Sequence, residues 1–328
     1  MRQVVLFAAA LLVGGTAHAE SVKISIPSDS AGFAQYFVAE NRGYFQDEGL
    51  EVEILQLQGG PATPALIAGS TQFSASTSSA TTANLKGAPL KVVLIGQSRP
   101  QTQLWSFDPA VRTFEDIKGK VVTITSRGGA DHILLRMLLK QNGLPPDYFG
   151  VAPLGGNSAL RIAAVTSGAQ KYITLSRLER LDLETLGFLA KGKMVVTPAQ
   201  HIELPLAGLA TTEDMLQKQK TTVKKMLRAV WKGTIHFQMH REDAVVALQK
   251  RLPTMTRENM MRDIDGAIDD LDNDGVISME TASRELSIRA DLLEMAADKV
   301  PAPQKVYDFS LIGEVTKELQ AEGWKPKR

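Results

Sequence analysis

The chain has 328 residues, of which 44% are hydrophobic and 22% are charged, a balance typical of a folded globular protein and not of a disordered one. This length is sufficient for two ordinary domains with buried cores. The 37 Lys and Arg residues nearly balance the 36 Asp and Glu residues, which argues against a nucleic-acid-binding surface. There is no cysteine, so disulfides, thiol catalysis and thiolate metal sites are excluded.

Residues 1–19 have the pattern of a secretory signal peptide. Arg2 supplies a positive charge, residues 4–13 form an apolar run, and Ala17-His18-Ala19 has the form of a cleavage site. The run is shorter than the roughly 20 apolar residues needed to span a bilayer, and a short helix packed on the core is the alternative. Removal of Arg2 leaves 36 acidic and 36 basic residues. We expect a periplasmic, monomeric protein with no lipid anchor and no transmembrane segment.

Strand and helix patterns alternate from residue 22 to residue 196. Period-two alternation and short apolar runs predict strands at 22–26, 50–55, 72–76, 91–95, 119–124, 172–175 and 194–196. Helical spacing predicts helices at 33–45, 65–68, 77–87, 131–142 and 158–166, and, in a more helical C-terminal part, at 220–239, 242–250, 257–268, 280–286 and 312–322. This order predicts α/β units with mostly parallel sheets, whose ligands bind at the carboxyl ends of the strands.

Several segments, in their order along the chain, resemble the nitrate-, sulfonate- and taurine-binding proteins of ABC importers, a family that includes binders of thiamine-pyrimidine precursors. The most extensive is residues 33–52, which has the helix-then-strand signature of that family. The other matching segments are 65–70, 72–73, 87–93, 114–120, 163–168 and 307–310. The chain departs from the family at 176–187, where relatives often carry an Asp and a Pro-containing turn.

The resemblance implies a two-lobed, type II Venus-flytrap fold with a hinge and a cleft between the lobes. We assign residues 20–106 and 212–328 to the first lobe and residues 107–211 to the second. The resemblance also implies a small-molecule ligand, delivery to an ABC permease, and no cofactor or catalysis. The absence of cysteine disfavours the subgroup that binds thiamine precursors.

The strongest candidate binding segment is Ser126-Arg127-Gly128-Gly129, at a predicted strand-to-helix turn. Exposed amides at a helix N-terminus attract anions, and Arg127 could add a bidentate contact to a carboxylate or sulfonate. The alternative is a plain turn with a solvated arginine. Thr77 and Ser78 begin another predicted helix and could contact the ligand, although ordinary capping needs only one hydroxyl.

Four further segments are expected where cleft loops converge. Each has an ordinary alternative: core packing for the aromatic ring, turn or capping chemistry for the small polar residues, and a solvated surface for the arginine. The candidate residues are Ser30, Phe33 and Gln35 after the first strand, Gly60 and Pro61 after the second, Asn157 before a second-lobe helix, and Ser176 and Arg177 after the strand at 172–175.

Two patterns suggest metals but are incomplete. Asp270, Asp272 and Asp274-Gly275 have the spacing of a calcium loop, but Thr281 stands where a bidentate Glu is required, so an acidic turn is the favoured interpretation. His236 and His240 lie one helical turn apart with no third ligand at a familiar spacing, so a packed or surface position is favoured. We predict no metal site.

The sequence therefore favours a binding protein for an ABC importer, with an organic carboxylate or sulfonate as ligand and Phe33 suggesting an aromatic or apolar body. A binding protein that reports to a membrane sensor remains an alternative. An enzyme on the same scaffold is disfavoured, because the related desulfinases use a cysteine nucleophile and the chain has no P-loop, Gly-x-Ser-x-Gly or His-Glu-x-x-His motif.

Overall fold

The computed structural model describes residues 19–57, 61–99, 101–196, 204–271 and 274–326. The first 18 residues of the predicted signal peptide, Gly60 and Asp272 lie outside the described residues. Within the described part of the chain, no helix combines the length and apolarity needed to cross a membrane.

Ten strands and thirteen α-helices alternate along the described chain. The strands are β1 (Glu20–Ile26), β2 (Leu50–Gln56), β3 (Phe73–Ser74), β4 (Leu90–Gln97), β5 (Gln103–Ser106), β6 (Val121–Ile124), β7 (Gly150–Pro153), β8 (Tyr172–Leu175), β9 (Lys193–Val196) and β10 (Ala207–Thr212). The helices are α1 (Ala34–Asn41), α2 (Tyr44–Asp47), α3 (Ala62–Ile67), α4 (Thr77–Leu85), α5 (Ala130–Gln141), α6 (Ser158–Thr166), α7 (Arg177–Thr185), α8 (Glu213–Lys218), α9 (Lys220–Met239), α10 (Arg241–Gln249), α11 (Arg257–Asp269), α12 (Met279–Leu292) and α13 (Ser310–Ala321).

The strands form two separate five-stranded sheets. The first has the order β2-β1-β3-β10-β4, and the second has the order β7-β6-β8-β5-β9. In the first sheet β1 runs parallel to β2 and β3, whereas β10 is antiparallel to β3 and β4. In the second, β6 runs parallel to β7 and β8, whereas β5 is antiparallel to β8 and β9. The predicted α/β class is confirmed, but each sheet is mixed because one antiparallel strand is inserted into it.

The inserted strands mark where the chain crosses between the lobes. β5 pairs only with second-sheet strands although we assigned residues up to 106 to the first lobe, and β10 pairs only with first-sheet strands although we assigned residues up to 211 to the second. The crossings therefore fall after β4 and before β10. The predicted boundaries at 106/107 and 211/212 differ from this pairing, because neither strand carries a local signal of which sheet it joins.

The predicted helix at 33–45 is wrong as a single element. A 3₁₀ turn at 31–33 leads into α1, and Gly43 then adopts φ +73° before α2 begins. This left-handed conformation favours glycine, so the chain turns at that position. The predicted helix at 220–239 is confirmed as α9. It packs closely on α1 at Gly233, where a Cβ atom would lie 2.3 Å from the carbonyl oxygen of Gln35.

Each lobe has its own apolar core, and α12 connects them. The core of the first lobe is formed by buried side chains of β1, α1 and α9, among them Ile24, Phe37 and Val230. The core of the second lobe is centred on β6 and α5. Ile288 and Leu292 of α12 pack against this second core, although α12 follows the return of the chain to the first lobe. The helix therefore supports both walls of the groove between the lobes.

Candidate ligand-binding cleft

A cleft of about 280 Å³ opens between the two sheets. The loops that follow β1, β3, β6 and β8 all reach it, as expected for the carboxyl ends of strands in α/β sheets. Both crossing segments also line it, through residue 97 at the end of β4, residues 99, 101 and 102 after it, and residues 206 and 207 where β10 begins. The cleft is thus enclosed by both lobes and by the hinge.

The wall on the first lobe is rich in hydroxyl groups. Ser28 and Ser30 follow β1 with their Oγ atoms 3.2 Å apart, and Phe33 provides an apolar surface beside them. Ser78 and Ser79 lie in the first turn of α4, where backbone N–H groups have no acceptor within the helix. This wall offers a ligand hydroxyl groups, backbone amides and one aromatic ring.

A fully buried arginine fixes the hydroxyl of Ser78. Arg289 Nη2 donates to Ser78 Oγ over 2.8 Å, and Nη1 donates to the Ser78 carbonyl over 3.0 Å. Glu285 neutralises the guanidinium, with its Oε1 2.8 Å from Nε, and Tyr307 donates to the same carboxylate. Because Ser78 Oγ accepts a hydrogen bond from Arg289, the proton of this hydroxyl remains available for donation to another group. No described protein acceptor takes that proton, and Ser78 lines the cleft.

The wall on the second lobe contains a carboxylate that is already fully engaged. Asp131 lies in the first turn of α5 and accepts from the Thr125 amide and hydroxyl, both over 2.6 Å, and from the Thr174 hydroxyl over 2.8 Å. A carboxylate at this position is stabilised by the positive end of the helix dipole. It therefore occupies much of the anion-binding capacity of the α5 N-terminus.

A second buried carboxylate is paired with an arginine at the base of this wall. Arg161 Nε lies 2.6 Å from Glu179 Oε1, and the side chains are only 1% and 4% exposed. Arg161 also donates to the carbonyl of Thr174, and Glu179 accepts from the Ser176 amide over 2.8 Å in a capping box that begins α7. The network fixes the end of β8 and the start of α7 relative to each other.

The hinge side of the cleft is closed by a charged pair between the lobes. Arg177 Nη2 of α7 lies 2.7 Å from Asp270 Oδ2 at the end of α11, and Gln101 donates to the other oxygen of Asp270 over 2.6 Å. Burial raises the pKa of Asp270, and the hydrogen bond from Arg177 opposes that rise. Nearby, Asp263 accepts from the Ala31 amide over 3.0 Å, and burial raises its pKa as well.

Seven of the predicted site residues meet at this cleft. From the first lobe these are Ser30, Phe33 and Ser78, and from the second Ser126, Gly129, Ser176 and Arg177. Gly129 is the N-cap of α5, and a Cβ atom there would lie 2.4 Å from Ser126 Oγ. A larger residue at this position would therefore displace the Ser126 hydroxyl.

The other predicted site residues within the described chain do not line the cleft. Gln35 is 1% exposed inside α1, Thr77 donates to the Leu206 carbonyl over 2.7 Å, and Asn157 caps α6 by accepting from the Leu160 amide. Pro61 is the exposed N-cap of α3. Arg127 donates to the Val151 carbonyl over 3.0 Å and faces a second cavity together with Gly128.

Residues that the sequence did not indicate as ligand contacts supply much of the cleft. Arg99 and Gln97 lie at the first crossing, and Asp263 and Asp270 come from α11 and its end. Asp270 appeared in the sequence as part of an acidic run, and its structural role is the ion pair with Arg177. The amphipathic pattern of α11 could have indicated that Asp263 falls on a buried face, but not which wall that face meets.

The helical histidine pair has a structural explanation. His236 is fully buried, with Nδ1 2.7 Å from the Tyr44 hydroxyl and Nε2 2.5 Å from Asp243 Oδ2. Both ring nitrogens are thus engaged in side-chain hydrogen bonds, and the ring of His240 lies beside it at 4.7 Å between centroids, tilted by 51°. Of the packed and surface positions expected from the sequence, the structure shows the packed one for His236.

Comparison with known proteins identifies the family. Residues 30–244 match the family model described as NMT1/THI5 like. YtlA of Bacillus subtilis, which is named as a binding protein, is 22% identical over 226 residues. These residues cover 67% of this chain and 66% of YtlA.

Solved structures share the fold at low sequence identity. A protein of Bordetella bronchiseptica superposes with a TM-score of 0.79 at 19% identity, covering 92% of this chain and 98% of that one. The nitrate-binding protein NrtA of Synechocystis has a TM-score of 0.72 at 16% identity, covering 92% and 90%. The alkanesulfonate-binding protein SsuA of Xanthomonas axonopodis, bound to MOPS, has 0.70 at 15%, covering 88% and 98%.

These matches confirm the predicted resemblance and the predicted fold class. NrtA and SsuA are binding proteins, and the two sheets and the cleft described above correspond to their two-lobed architecture. The chain belongs to the NMT1/THI5-like family and has the two-lobed fold of periplasmic binding proteins.

Proposed function

We propose that this protein is the periplasmic solute-binding component of an ABC importer and that it captures a small organic anion in the cleft. The neighbours named above bind nitrate and alkanesulfonate, and others with the same fold are named as components of ABC import systems. The two-lobed cleft suits capture by closure of the lobes, in which contacts to both walls favour the closed state. The role requires a ligand and a membrane permease, and no chemical turnover.

The observation that supports an anionic ligand is that the Ser78 hydroxyl acts as a hydrogen-bond donor toward the cleft. Arg289 donates to its Oγ, which leaves the hydroxyl proton for an acceptor in the cleft. Ser79 and the first-turn amides of α4 add donors beside it. The Asp131, Glu179 and Asp270 carboxylates lining the cleft each accept hydrogen bonds from within the protein. A carboxylate or sulfonate head group at α4, with an apolar body against Phe33, is the ligand this arrangement favours.

A ligand screen tests the proposal. The mature protein is heated with carboxylates, sulfonates, nitrate, amines and sugars, and hits are measured by titration calorimetry. A ligand at a hundred times its dissociation constant stabilises the folded state by about 2.7 kcal/mol. We expect hits only among compounds with an anionic oxygen group. Binding confined to amines or neutral sugars would overturn the anionic assignment.

Ser78→Ala and a matched serine then locate the site. Loss of one hydrogen bond to a charged group costs about 1.5–3 kcal/mol, so affinity for the best anion is expected to fall by roughly tenfold or more. The control is Ser167→Ala, because Ser167 ends α6 on the surface and its hydroxyl donates to the Ala164 carbonyl. Equal affinities in the two variants would exclude Ser78 as a ligand contact. The importer role itself is tested by deleting the gene and measuring uptake of the identified anion.

A further inference from the structure

A second cavity of about 130 Å³ lies on the seam between the lobes, separate from the cleft. We call it the seam cavity. It is far larger than the ~10–15 Å³ that one water molecule requires. The polar residues lining it are Thr82 of α4, Lys86 directly after α4, Arg289 of α12, Arg127 and Gly128 in the turn before α5, and His132 in the first turn of α5.

The seam cavity gathers positive charge that the described residues do not neutralise. Lys86 and Arg127 form no ion pair with any described carboxylate, and Arg127 donates only to the Val151 carbonyl. Arg136 lies beside them and donates to the Pro146 carbonyl, and the charge of Asp147 acts on it at longer range. Of the arginines here, Arg289 alone is paired with a described carboxylate, that of Glu285. Clustered cations without counterions repel one another and attract an anion.

The ring of His132 provides a second, independent observation, because its N–H has no acceptor among the contacts described below. Its Nδ1 accepts from the Gly128 amide over 2.9 Å, and its Nε2 lies 3.4 Å from Nε of Arg136. A neutral imidazole has one acceptor nitrogen and one N–H. With Nδ1 accepting, Nε2 carries the proton and faces another donor. Burial, followed by the charge of Arg136, lowers the pKa of His132 to about 4, so the ring is neutral near neutral pH. His132 lines the seam cavity, so an oxyanion there could accept from the ring N–H.

The cavity exists only while the lobes are together. Thr82 Oγ1 lies 3.1 Å from the Gly128 carbonyl across the seam, and it also accepts from Arg289 Nη1 over 2.7 Å. Arg289 in turn holds Ser78 in the cleft. An anion bound among Lys86, Arg127 and His132 would touch both lobes and would stabilise the same arrangement that a cleft ligand selects.

We propose that the seam cavity is a second anion-binding site, for a small oxyanion such as inorganic phosphate, sulfate or a short carboxylate, and that its occupancy favours the closed lobes. The site is built from residues other than the cleft contacts. The inference does not depend on the identity of the cleft ligand, and it can hold even if the importer role fails.

Inorganic phosphate is the probe. Thermal unfolding of the mature protein is followed as phosphate replaces chloride at constant ionic strength, which keeps charge screening equal. We expect a saturable rise in Tm for the wild type. In Lys86→Gln/Arg127→Gln the phosphate concentration at half-effect should rise by roughly tenfold or more, since charge-assisted hydrogen bonds are lost. Lys317→Gln is the matched control, because Lys317 is an exposed lysine on α13.

Arg99→Gln separates the two sites, because Arg99 lines the cleft and not the seam cavity. The phosphate response should survive in this variant. The ring signals of His132 in the NMR spectrum should shift with phosphate in the wild type and remain fixed in the double variant. Absence of a saturable response, a response equal in the double variant and the wild type, or one lost only with Arg99→Gln would each overturn the proposal.

Discussion

Arg177 and Asp270 join the two lobes by an ion pair, although 93 residues separate them in the chain. Arg177 begins α7 in the second lobe, and Asp270 ends α11 in the first. The side chain of Asp270 is only 7% exposed, so its charge depends on this partner and on Gln101. The pair lies at the hinge side of the cleft, while the hydrogen bond from Thr82 to Gly128 lies at the seam. The two contacts hold the lobes together at different edges.

Gly266→Ala is expected to break this ion pair. A Cβ atom at Gly266 would lie 2.3 Å from Cζ of Arg177, and because the guanidinium is the flexible end of its side chain it would leave Asp270. We expect a larger radius of gyration in X-ray scattering without ligand and a weaker affinity for the cleft ligand.

The control for that variant is Gly313→Ala in α13, where a new Cβ atom has nothing within 4 Å. Alanine at an open helical position normally stabilises by about 0.5–1 kcal/mol relative to glycine. Gly313→Ala should therefore raise Tm and leave the scattering unchanged. If Gly266→Ala behaves in the same way, the contact with Arg177 has no role in holding the lobes together.

The buried pair of Arg161 and Glu179 should show strong coupling. Arg161→Met leaves a buried carboxylate without its cation, and breaking such a pair costs about 3–5 kcal/mol. The double variant Arg161→Met/Glu179→Leu should recover most of that loss, except for the capping box with Ser176, which contributes about 1 kcal/mol. Urea denaturation provides the free energies of unfolding.

An exposed ion pair provides the comparison. Lys218 and Asp214 are paired across one turn of α8, with side chains 71% and 63% exposed. Lys218→Met should change stability by less than about 1 kcal/mol, since surface pairs are screened by solvent. A loss for Arg161→Met as small as that for Lys218→Met would show that Glu179 finds another partner or a proton without cost.

Asp182 is expected to make the protein less stable as pH rises. Burial, with the charges of Asp263 and Glu179, raises the pKa of Asp182 from 3.8 to about 6. The folded state therefore holds this proton more tightly than the unfolded chain between about pH 4 and pH 6. That contribution is complete below this window and is lost as pH rises through 6. Asp182→Asn should be more stable than the wild type at pH 7, by an amount of order 1 kcal/mol, and nearly equal to it at pH 4. Thermal unfolding at both pH values measures this, and a pH-independent difference would contradict it.

The titration of His132 is expected to change stability with pH in the opposite direction. Its pKa is lowered to about 4 in the folded protein, so between about pH 4 and 6.5 the unfolded chain binds the additional proton. The stability from the neutral ring is complete above 6.5 and is lost as pH falls toward 4. His132→Asn keeps an acceptor for the Gly128 amide and removes this titration, so its stability should fall less across that window, by about 1–2 kcal/mol. His236 has a lowered pKa from burial and contributes with the same sign, so the variant removes only part of the slope. Identical slopes would show that His132 does not titrate differently in the two states.

The class of fold could be predicted from the sequence because its signals are local. The alternation at 22–26 and 50–55 and the helical spacing at 220–239 depend on neighbours within one element, and β1, β2 and α9 have almost the predicted bounds. Short elements lacked such signals. β5, β7 and β10 have four to six residues each and no long alternating pattern, and they were not predicted.

The site was only partly predictable, and Arg127 and Arg99 show why. The loop at 126–129 does reach the cleft through Ser126 and Gly129, but Arg127 turns to the Val151 carbonyl and the seam cavity, because a side-chain direction within a turn depends on tertiary contacts. Arg99 gave no motif and lines the cleft because it lies at a crossing between the lobes. Its position depends on which sheet β5 joins.

The sequence by itself determined the α/β class, the family resemblance, the absence of cysteine and several of the loops that reach the cleft, because residue type, spacing and order along the chain are sufficient for these. Only the tertiary structure decided which side chains face one another. The pairing of Arg177 with Asp270, the hold of Arg289 on Ser78 and the seam cavity each join residues from distant parts of the chain. Such contacts depend on how the two lobes pack around a hinge that the chain crosses twice. No local sequence pattern encodes that geometry.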